Sequence, residues 1–511
     1  MKVPIENRPN RRWLIAIGVL PALTAVALPI AAHLAAPLVK DRMLQALKES
    51  YESEVELRRM DLALLPSVQV VGEGLVLRHR GRTDVPPLIS IRRFVATAGW
   101  LGLLRSPARV ERVYLEGLQI HIPPPHDDAK EKGVKSRNRN VPRFLINEVN
   151  ADGTVLEILP KKAETEPLQF EIKLLTLWGA GPANPMSFRA TLTNAKPVGE
   201  IRSEGQFGPW QRDEPGFTPV SGRYTFQHAD LSVFRGISGI LSSEGAYTGV
   251  LGAIQVNGTT DTPHFKLDVS GKPVHLATQF HAEVDGTDGD TRLEPVRAQF
   301  GRSSVTARGA IEGKPGTKGK TISLDVTVGQ GRIEDMLRLG VRSDKPMMNG
   351  SIAFHTSLLI PPGDQDVIKR LQLNGRFAAG EARFKKADLQ QKVSELSHRG
   401  LGEPDDSQAG SVASNFSGSF ILKNAVLTFE NLSFGVPGVT VHLNGTYGLR
   451  DERIDLKGTA SLQAKLSEAT TGIKSFLLKA VDPFFKKKNV GAVIPIKIGG
   501  TKDSPSFGLN L

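Results

Sequence analysis

After Tyr51 the chain is largely written as an alternation of apolar and polar residues. Phe188, Ala190 and Leu192 are separated by polar neighbours, and so are Phe265, Leu267 and Val269. Ile322, Leu324, Val326 and Val328 alternate with Ser323, Asp325 and Thr327. The same pattern holds for Val439, Val441 and Leu443, and for Ile494, Ile496 and Ile498. Successive side chains of a strand point to opposite faces. The pattern therefore predicts a mostly β protein whose sheet has one apolar and one polar face. Val68–Leu77 reads as an earlier strand, with glycines at 72 and 74. Val113 and Leu115 alternate in one phase, and Leu118, Ile120 and Ile122 in the other. That slip, at Glu116-Gly117, predicts a bulge. Helical spacing is confined to 40–50, about 332–340, 362–371, 386–398 and 465–481, with a short apolar turn or helix at Trp100–Arg105.

One stretch breaks the alternation. Residues 13–39 contain no Asp, Glu, Lys or Arg. A helix needs about 20 apolar residues to cross a bilayer, and membrane helices tolerate prolines such as Pro21 and Pro29. The run reads as a single membrane span anchored through Trp13, Leu14, Leu20, Leu28 and Leu38. A cleaved signal peptide ending near Leu34-Ala35-Ala36 is the rival reading. The preceding tail carries Lys2, Arg8, Arg11 and Arg12 against Glu6. Basic residues beside a span stay in the cytoplasm, which puts the remaining chain on the other side. Lys40, Arg42 and Lys48 on the far flank weaken that bias.

Composition narrows the function classes. Hydrophobic residues make up 40% of the chain, enough for a folded core. The 51 glycines and 33 prolines suit many turns. There is no Cys, which excludes disulfides, thiolate metal sites and Cys nucleophiles and fits an exported domain without covalent staples. The net charge of +12 is scattered along the chain. For an exported domain it reads as attraction to anionic lipid headgroups, with no nucleic-acid partner.

Local motifs do not add an enzyme. Lys314-Pro-Gly-Thr-Lys-Gly-Lys-Thr321 resembles a phosphate loop, but its first glycine is one residue out of register and a strand follows it. It reads as a surface turn. Asp285-Gly-Thr-Asp-Gly-Asp290 has acids at positions 1, 4 and 6, which is not the spacing of a calcium loop. His275 and His281 share a strand face, with only Glu283 nearby as a further zinc ligand. No Gly-x-Ser-x-Gly elbow occurs. The expectation is a protein that is not an enzyme and has no catalytic residue, metal site or cofactor. Gly258-Thr-Thr-Asp-Thr-Pro-His-Phe265 is echoed by Gly500-Thr-Lys-Asp-Ser-Pro-Ser-Phe507, which predicts a tight strand–turn–strand unit used twice.

The domain organisation expected is a cytoplasmic tail (1–12), the membrane helix (13–39), a first β region (40–125), a polar loop (126–141) and a second β region (142–511) carrying the helix 465–481. Over residues 464–488, Leu466, Ala469, Ile473, Phe476, Leu477, Ala480 and Phe484 form one helical stripe. Phe484, Phe485, Lys486, Lys487 and Lys488 follow Pro483 and are candidates for a membrane interface. The alternative is a helix that caps the sheet, with solvated lysines.

The chain also resembles a known family. Arg399-Gly-Leu-Gly402, Phe434-Gly-Val-Pro-Gly438, Leu466-Ser467, Thr470-Thr-Gly-Ile-Lys-Ser475 and Asp482-Pro-Phe-Phe485 are similar to the C-terminal region of AsmA-like proteins. The single span followed by Leu65-Pro66, Pro87-Leu88-Ile89, Leu103-Leu104 and Val113-Tyr-Leu-Glu-Gly117 is similar to that family's opening. The resemblance implies an elongated, curved, groove-like antiparallel sheet. It also implies a single-pass protein of the bacterial inner membrane with its bulk in the periplasm. The TamB and YhdP group, larger relatives, is associated with phospholipid transfer to the outer membrane along an apolar groove. The expected partners are phospholipid, the inner membrane and other envelope proteins. The expected role is phospholipid handling in outer-membrane biogenesis and envelope integrity. The alternative is a structural or assembly factor that affects outer-membrane protein insertion. The candidate groove lining is Ile322, Leu324, Val326, Val439, Val441, Leu443, Ile494, Ile496 and Ile498. About 25 strands at about 4.8 Å would give a sheet on the order of 100 Å long.

Overall fold

The structure is a computed structural model. It describes residues 53–64, 66–79, 86–103, 107–122, 144–159, 168–181, 184–211, 215–314, 319–343, 345–401, 412–463 and 493–509, with a few single positions and part of 34–48. The described positions of 34–48 are helical, as the spacing at 40–50 predicts. Most of the apolar run 13–39 lies outside the described residues, among which no helix is long and apolar enough to cross a membrane. The helix expected at 465–481 and residues 484–488 also lie outside them.

The rest is one curved, half-barrel sheet of 24 strands. Its first third comprises β1 (Ser53–Ala63), β2 (Val68–His79), β3 (Ile89–Ala98), β4 (Ala108–Ile122), β5 (Phe144–Ile158), β6 (Leu168–Ala180), β7 (Met186–Ala195) and β8 (Val198–Phe207). The middle comprises β9 (Pro219–Asp230), β10 (Ile237–Ser238), β11 (Ile240–Val250), β12 (Ala253–Leu267), β13 (Val274–Val284), β14 (Thr291–Phe300), β15 (Ser303–Gly313) and β16 (Lys320–Arg332). The last third comprises β17 (Met348–Ile360), β18 (Gln372–Phe384), β19 (Ser414–Lys423), β20 (Val426–Val436), β21 (Val439–Gly448), β22 (Ile454–Leu462), β23 (Val493–Gly500) and β24 (Pro505–Leu509). Neighbours in sequence pair antiparallel, except that β11 pairs directly with β9, and β10 lies on the far end of β12. Among the described residues the single parallel pair is β4 with β5. A parallel pair needs a long crossover, and the segment joining these strands contains the polar stretch 126–141. The sheet is continuous across it.

Among the described residues four α-helices interrupt the strands: α1 (Trp100–Leu103), α2 (Ile333–Gly340), α3 (Val367–Arg370) and α4 (Ala387–Leu401). All four fall where helical or turn-like spacing predicts them. The octamer echo does not hold. Gly258–Phe265 runs inside β12, where the register shifts between Thr262 and Phe265, whereas Gly500–Phe507 is the turn between β23 and β24. Pro263 sits in that irregularity, where no ladder hydrogen bond is required of it.

The first six strands share a crease. In each, two successive inward positions are three residues apart instead of two: Leu57 and Met60, Gly72 and Leu75, Ile91 and Phe94, Leu115 and Leu118, Ala151 and Thr154, Ile172 and Leu175. The slip at Glu116-Gly117 is therefore real, but it is not an isolated bulge. Ile91 pairs with Leu118 and Arg93 with Glu116 at one unbroken register, because both strands slip together. Gly74, Gly117 and Gly153 carry φ of 68°, 63° and 63° along this line, in the left-handed region that glycine adopts freely. On the outer side the crease sets Arg59, Glu73, Arg93, Glu116 and Asp152 in one cross-strand row. Arg93 donates to Glu116 at 2.9 Å there.

The sheet also winds. The edge where β1 begins is called upper here, and the edge where it ends, lower. Ile122 and Ile158, at the upper ends of β4 and β5, are buried with Leu251, in the lower turn between β11 and β12. Val269, just past the upper end of β12, is buried with Ile368 of α3 and Ala425 at the lower edge of β19–β20. Beside it Val367 donates its backbone N–H to Arg235 at 2.8 Å, and Arg450 pairs with Asp366. Lys502, in the lower turn before β24, donates to the Arg342 carbonyl just after α2. Upper ends thus meet the lower ends of strands five or more places further on, as the twist of adjacent strands requires once it accumulates.

Candidate binding groove

One face of the sheet is apolar along nearly all its length. The inward row Leu57, Leu75, Ile91 and Leu118 continues through Ile172, Leu192, Ile201 and Phe226. Past the middle strands it resumes at Val305, Val328, Phe354 and Phe377. What covers this face changes along the sheet, and that defines the candidate site.

At the N-terminal end, Met43, Leu44 and Leu47 pack onto a buried cluster that includes Leu57, Leu75, Ile91 and Phe94. At the C-terminal end, Val393 and Leu396 of α4 pack onto a cluster holding Val439 (2% exposed), Val441 (4%) and Leu443 (7%). Gly400 makes that contact close, since a Cβ there would lie 2.3 Å from Val439 Cγ2. Between these ends α2 packs Ile333 and Leu337 against Ile352, Ala379 and Phe416 of the inner face, while Ile322, Leu324 and Val326 belong to no buried cluster of the described residues. Ile322, Leu324 and Val326 are only half-buried there, although their neighbours Ser323, Asp325 and Thr327 are the exposed ones. Ile494, Ile496 and Ile498 are half-buried too. The nine residues predicted to line a groove are thus all on the apolar face, but in two environments. Val439, Val441 and Leu443 are buried in a packed core under α4, and Ile494, Ile496 and Ile498 pack against that core; Ile322, Leu324 and Val326 belong to neither.

Sequence reasoning missed a hydroxyl belt in the middle of the same face. Ser203 and the Tyr247 hydroxyl lie 2.7 Å apart, Tyr224 and Ser243 3.1 Å, and Thr260 and Thr278 2.7 Å. Burial pushes the pKa of both tyrosines up, so their hydroxyls stay neutral donors and acceptors. The rings lie on glycine: a Cβ on Gly245 would be 2.8 Å from Tyr224 Cε1, and one on Gly222 would be 2.7 Å from the Tyr247 hydroxyl. The available signal was the run of Ser, Gly and Tyr at inward parity in β8, β9 and β11.

The motifs singled out for chemistry are structural. The phosphate-loop-like turn and the acidic turn bind each other: Lys320 Nζ donates to Asp290 Oδ1 at 2.7 Å and to the Asp288 carbonyl at 2.9 Å, and Gly313 N–H donates to Asp290 at 2.9 Å. Burial raises the pKa of Asp288, with Asp285 and Asp290 adding to the effect. His275 faces Asp261 at 2.5 Å, His281 faces Asn257 at 2.8 Å, and Glu283 accepts from Gln255. No group of three metal-ligating side chains converges among the described residues. On the polar face, a depression of about 840 Å³ is floored by small residues such as Ser351, Ala378 and Ser417. Its rim arginines, Arg302 and Arg332, are both held by Glu334.

The chain matches no family model, and no curated protein and no solved structure is significantly similar to it.

Proposed function

We propose that this chain is an AsmA-like protein of the bacterial inner membrane, with its sheet in the periplasm. In this reading it handles phospholipid along the apolar face, in outer-membrane biogenesis and envelope integrity. The observation that carries the reading is the half-burial of Ile322, Leu324 and Val326 on the apolar side of the sheet. An apolar face left open in water has a cost of about 25 cal/mol per Å² that acyl chains would relieve. Large exposed apolar surfaces mark interaction sites. Headgroups would stay at the open side, in water. The test is the phospholipid content of the purified full chain, read by mass spectrometry beside Leu324→Asp. The variant is expected to carry clearly less phospholipid while melting nearly as the parent does. Equal lipid on both would count against the groove.

A second reading rests on the end of the sheet. Among the described residues β24 pairs only with β23, and Phe507 on it is 54% exposed. An unpaired edge is a template for a strand from another chain, as expected of an assembly factor for outer-membrane proteins. A stable protein partner that is lost when Phe507 is replaced by Lys, with lipid content unchanged, would favour it.

A further inference from the structure

The four residues of α1 hold three apolar side chains out in water. Trp100 is 46% exposed, Leu101 77% and Leu103 36%. This is a built feature and not a loose tip. Gly102 and Leu103 donate their N–H groups to the Gly99 carbonyl at 3.0 and 3.2 Å. A Cβ on Gly102 would lie 2.9 Å from the Arg109 carbonyl, so only glycine lets the turn lie this close to β4. The turn is thus fixed with its apolar side outward. Arg105 and Arg109 beside it are exposed and make no ion pair among the described residues. The next tip on the same edge is apolar as well: Val68 pairs with Ala98, so the β1–β2 turn, with exposed Ala63 and Pro66, leaves the sheet beside α1.

We propose that α1 is a second membrane contact, inserted into the interface of an anionic phospholipid bilayer. Trp favours that interface, and exposed leucines beside arginines give apolar insertion together with attraction to anionic headgroups. The chemistry of Arg105 and Arg109 selects a lipid surface over a protein groove, because these cations flank the apolar tip and make no ion pair among the described residues. This inference rests on the membrane placement above and adds an orientation to it. With the tether at one place and α1 at another, the lower edge of the first strands is held against the bilayer, so one end of the groove faces the lipid source.

The chain has no Cys, so one introduced cysteine labels one site. Full chain carrying a spin label at Leu101→Cys, in vesicles of phosphatidylethanolamine and phosphatidylglycerol, should show high accessibility to oxygen and low accessibility to an aqueous nickel chelate. A label at Val198→Cys, exposed on the upper edge, should show the reverse. A label at Leu28→Cys tests the anchor separately. Leu28 in lipid with Leu101 as aqueous as Val198 overturns the second contact and leaves the anchor standing. Leu101 in lipid with Leu28 aqueous keeps the contact and removes the anchor. Neither in lipid overturns both. Because Leu101 is mostly exposed, the labelled chain should melt at the parent's temperature, and Arg105→Glu with Arg109→Glu should shift the Leu101 label toward water without changing that temperature.

Discussion

Leu251, in the lower turn between β11 and β12, is buried in one cluster with Ile158, the last residue at the upper end of β5. Because β11 pairs directly with β9, β5 and β11 are five ladder spacings apart, about 24 Å. They meet because each strand is rotated about 20–25° from the last, so upper and lower ends converge after several strands. The winding shortens the molecule relative to a flat ladder and walls the groove. Leu251→Ala removes a buried side chain from this seam and should cost about 2–5 kcal/mol. Val426→Ala, at a position 40% exposed, should stay within about 0.5 kcal/mol. Denaturant unfolding of both variants checks this, and equal small losses would mean that the seam contributes little.

The crease makes a separate prediction. A Cβ on Gly117 would stand 3.1 Å from Arg92 Cβ, at a φ of 63°. Gly117→Ala should therefore lower stability by about 1–2 kcal/mol through the left-handed backbone alone. Gly216→Ala, with nothing within 4 Å, should be close to neutral. Matching melting curves for the two would remove the conformational argument for the crease.

Alkaline stability follows from Tyr447. Burial, then the charges of Glu452, Asp503 and Asp451, push its pKa from 10.0 up to about 12. The unfolded chain ionises this phenol first as pH rises. Stability present below pH 10 is therefore lost between about pH 10 and 12. Tyr447→Phe should flatten the fall in melting temperature over that window. An unchanged fall would assign it to other groups.

Two apolar strands that look alike in sequence should respond differently to charge. Val441 is 4% exposed beneath α4, and Leu324 is half-buried on an open stretch. Val441→Asp places a carboxylate in a dry core at a cost of several kcal/mol, a large part of the stability of an ordinary domain. Leu324→Asp leaves its carboxylate within reach of water and should melt only modestly lower. Comparable unfolding of both would mean a closed core throughout.

That contrast shows what could be read from sequence and what could not. Alternation at 322–328, 439–443 and 494–498 identified the strands and the shared apolar face, because side-chain parity is local. Whether a helix lies over that face is not local. Gly400 lets α4 approach Val439 closely, and nothing in the alternation of β21 reports it. The phase slip was visible at Glu116-Gly117 in one strand, but its alignment across six strands depends on pairing register. Lys320 and Asp290 belong to two turns thirty residues apart in sequence, each of which read in isolation as a motif. Their contact explains both, since the lysine of one turn pairs with the Asp290 carboxylate and bonds the Asp288 backbone carbonyl of the other.

The most direct test of the open apolar face is a photo-crosslinking amino acid placed in turn at Leu324 and at Asp325 in the full chain, in cells. These adjacent residues point to opposite faces of β16. Phospholipid adducts at position 324 and none at 325 is the result this account predicts. Adducts at both positions, or at neither, would contradict it.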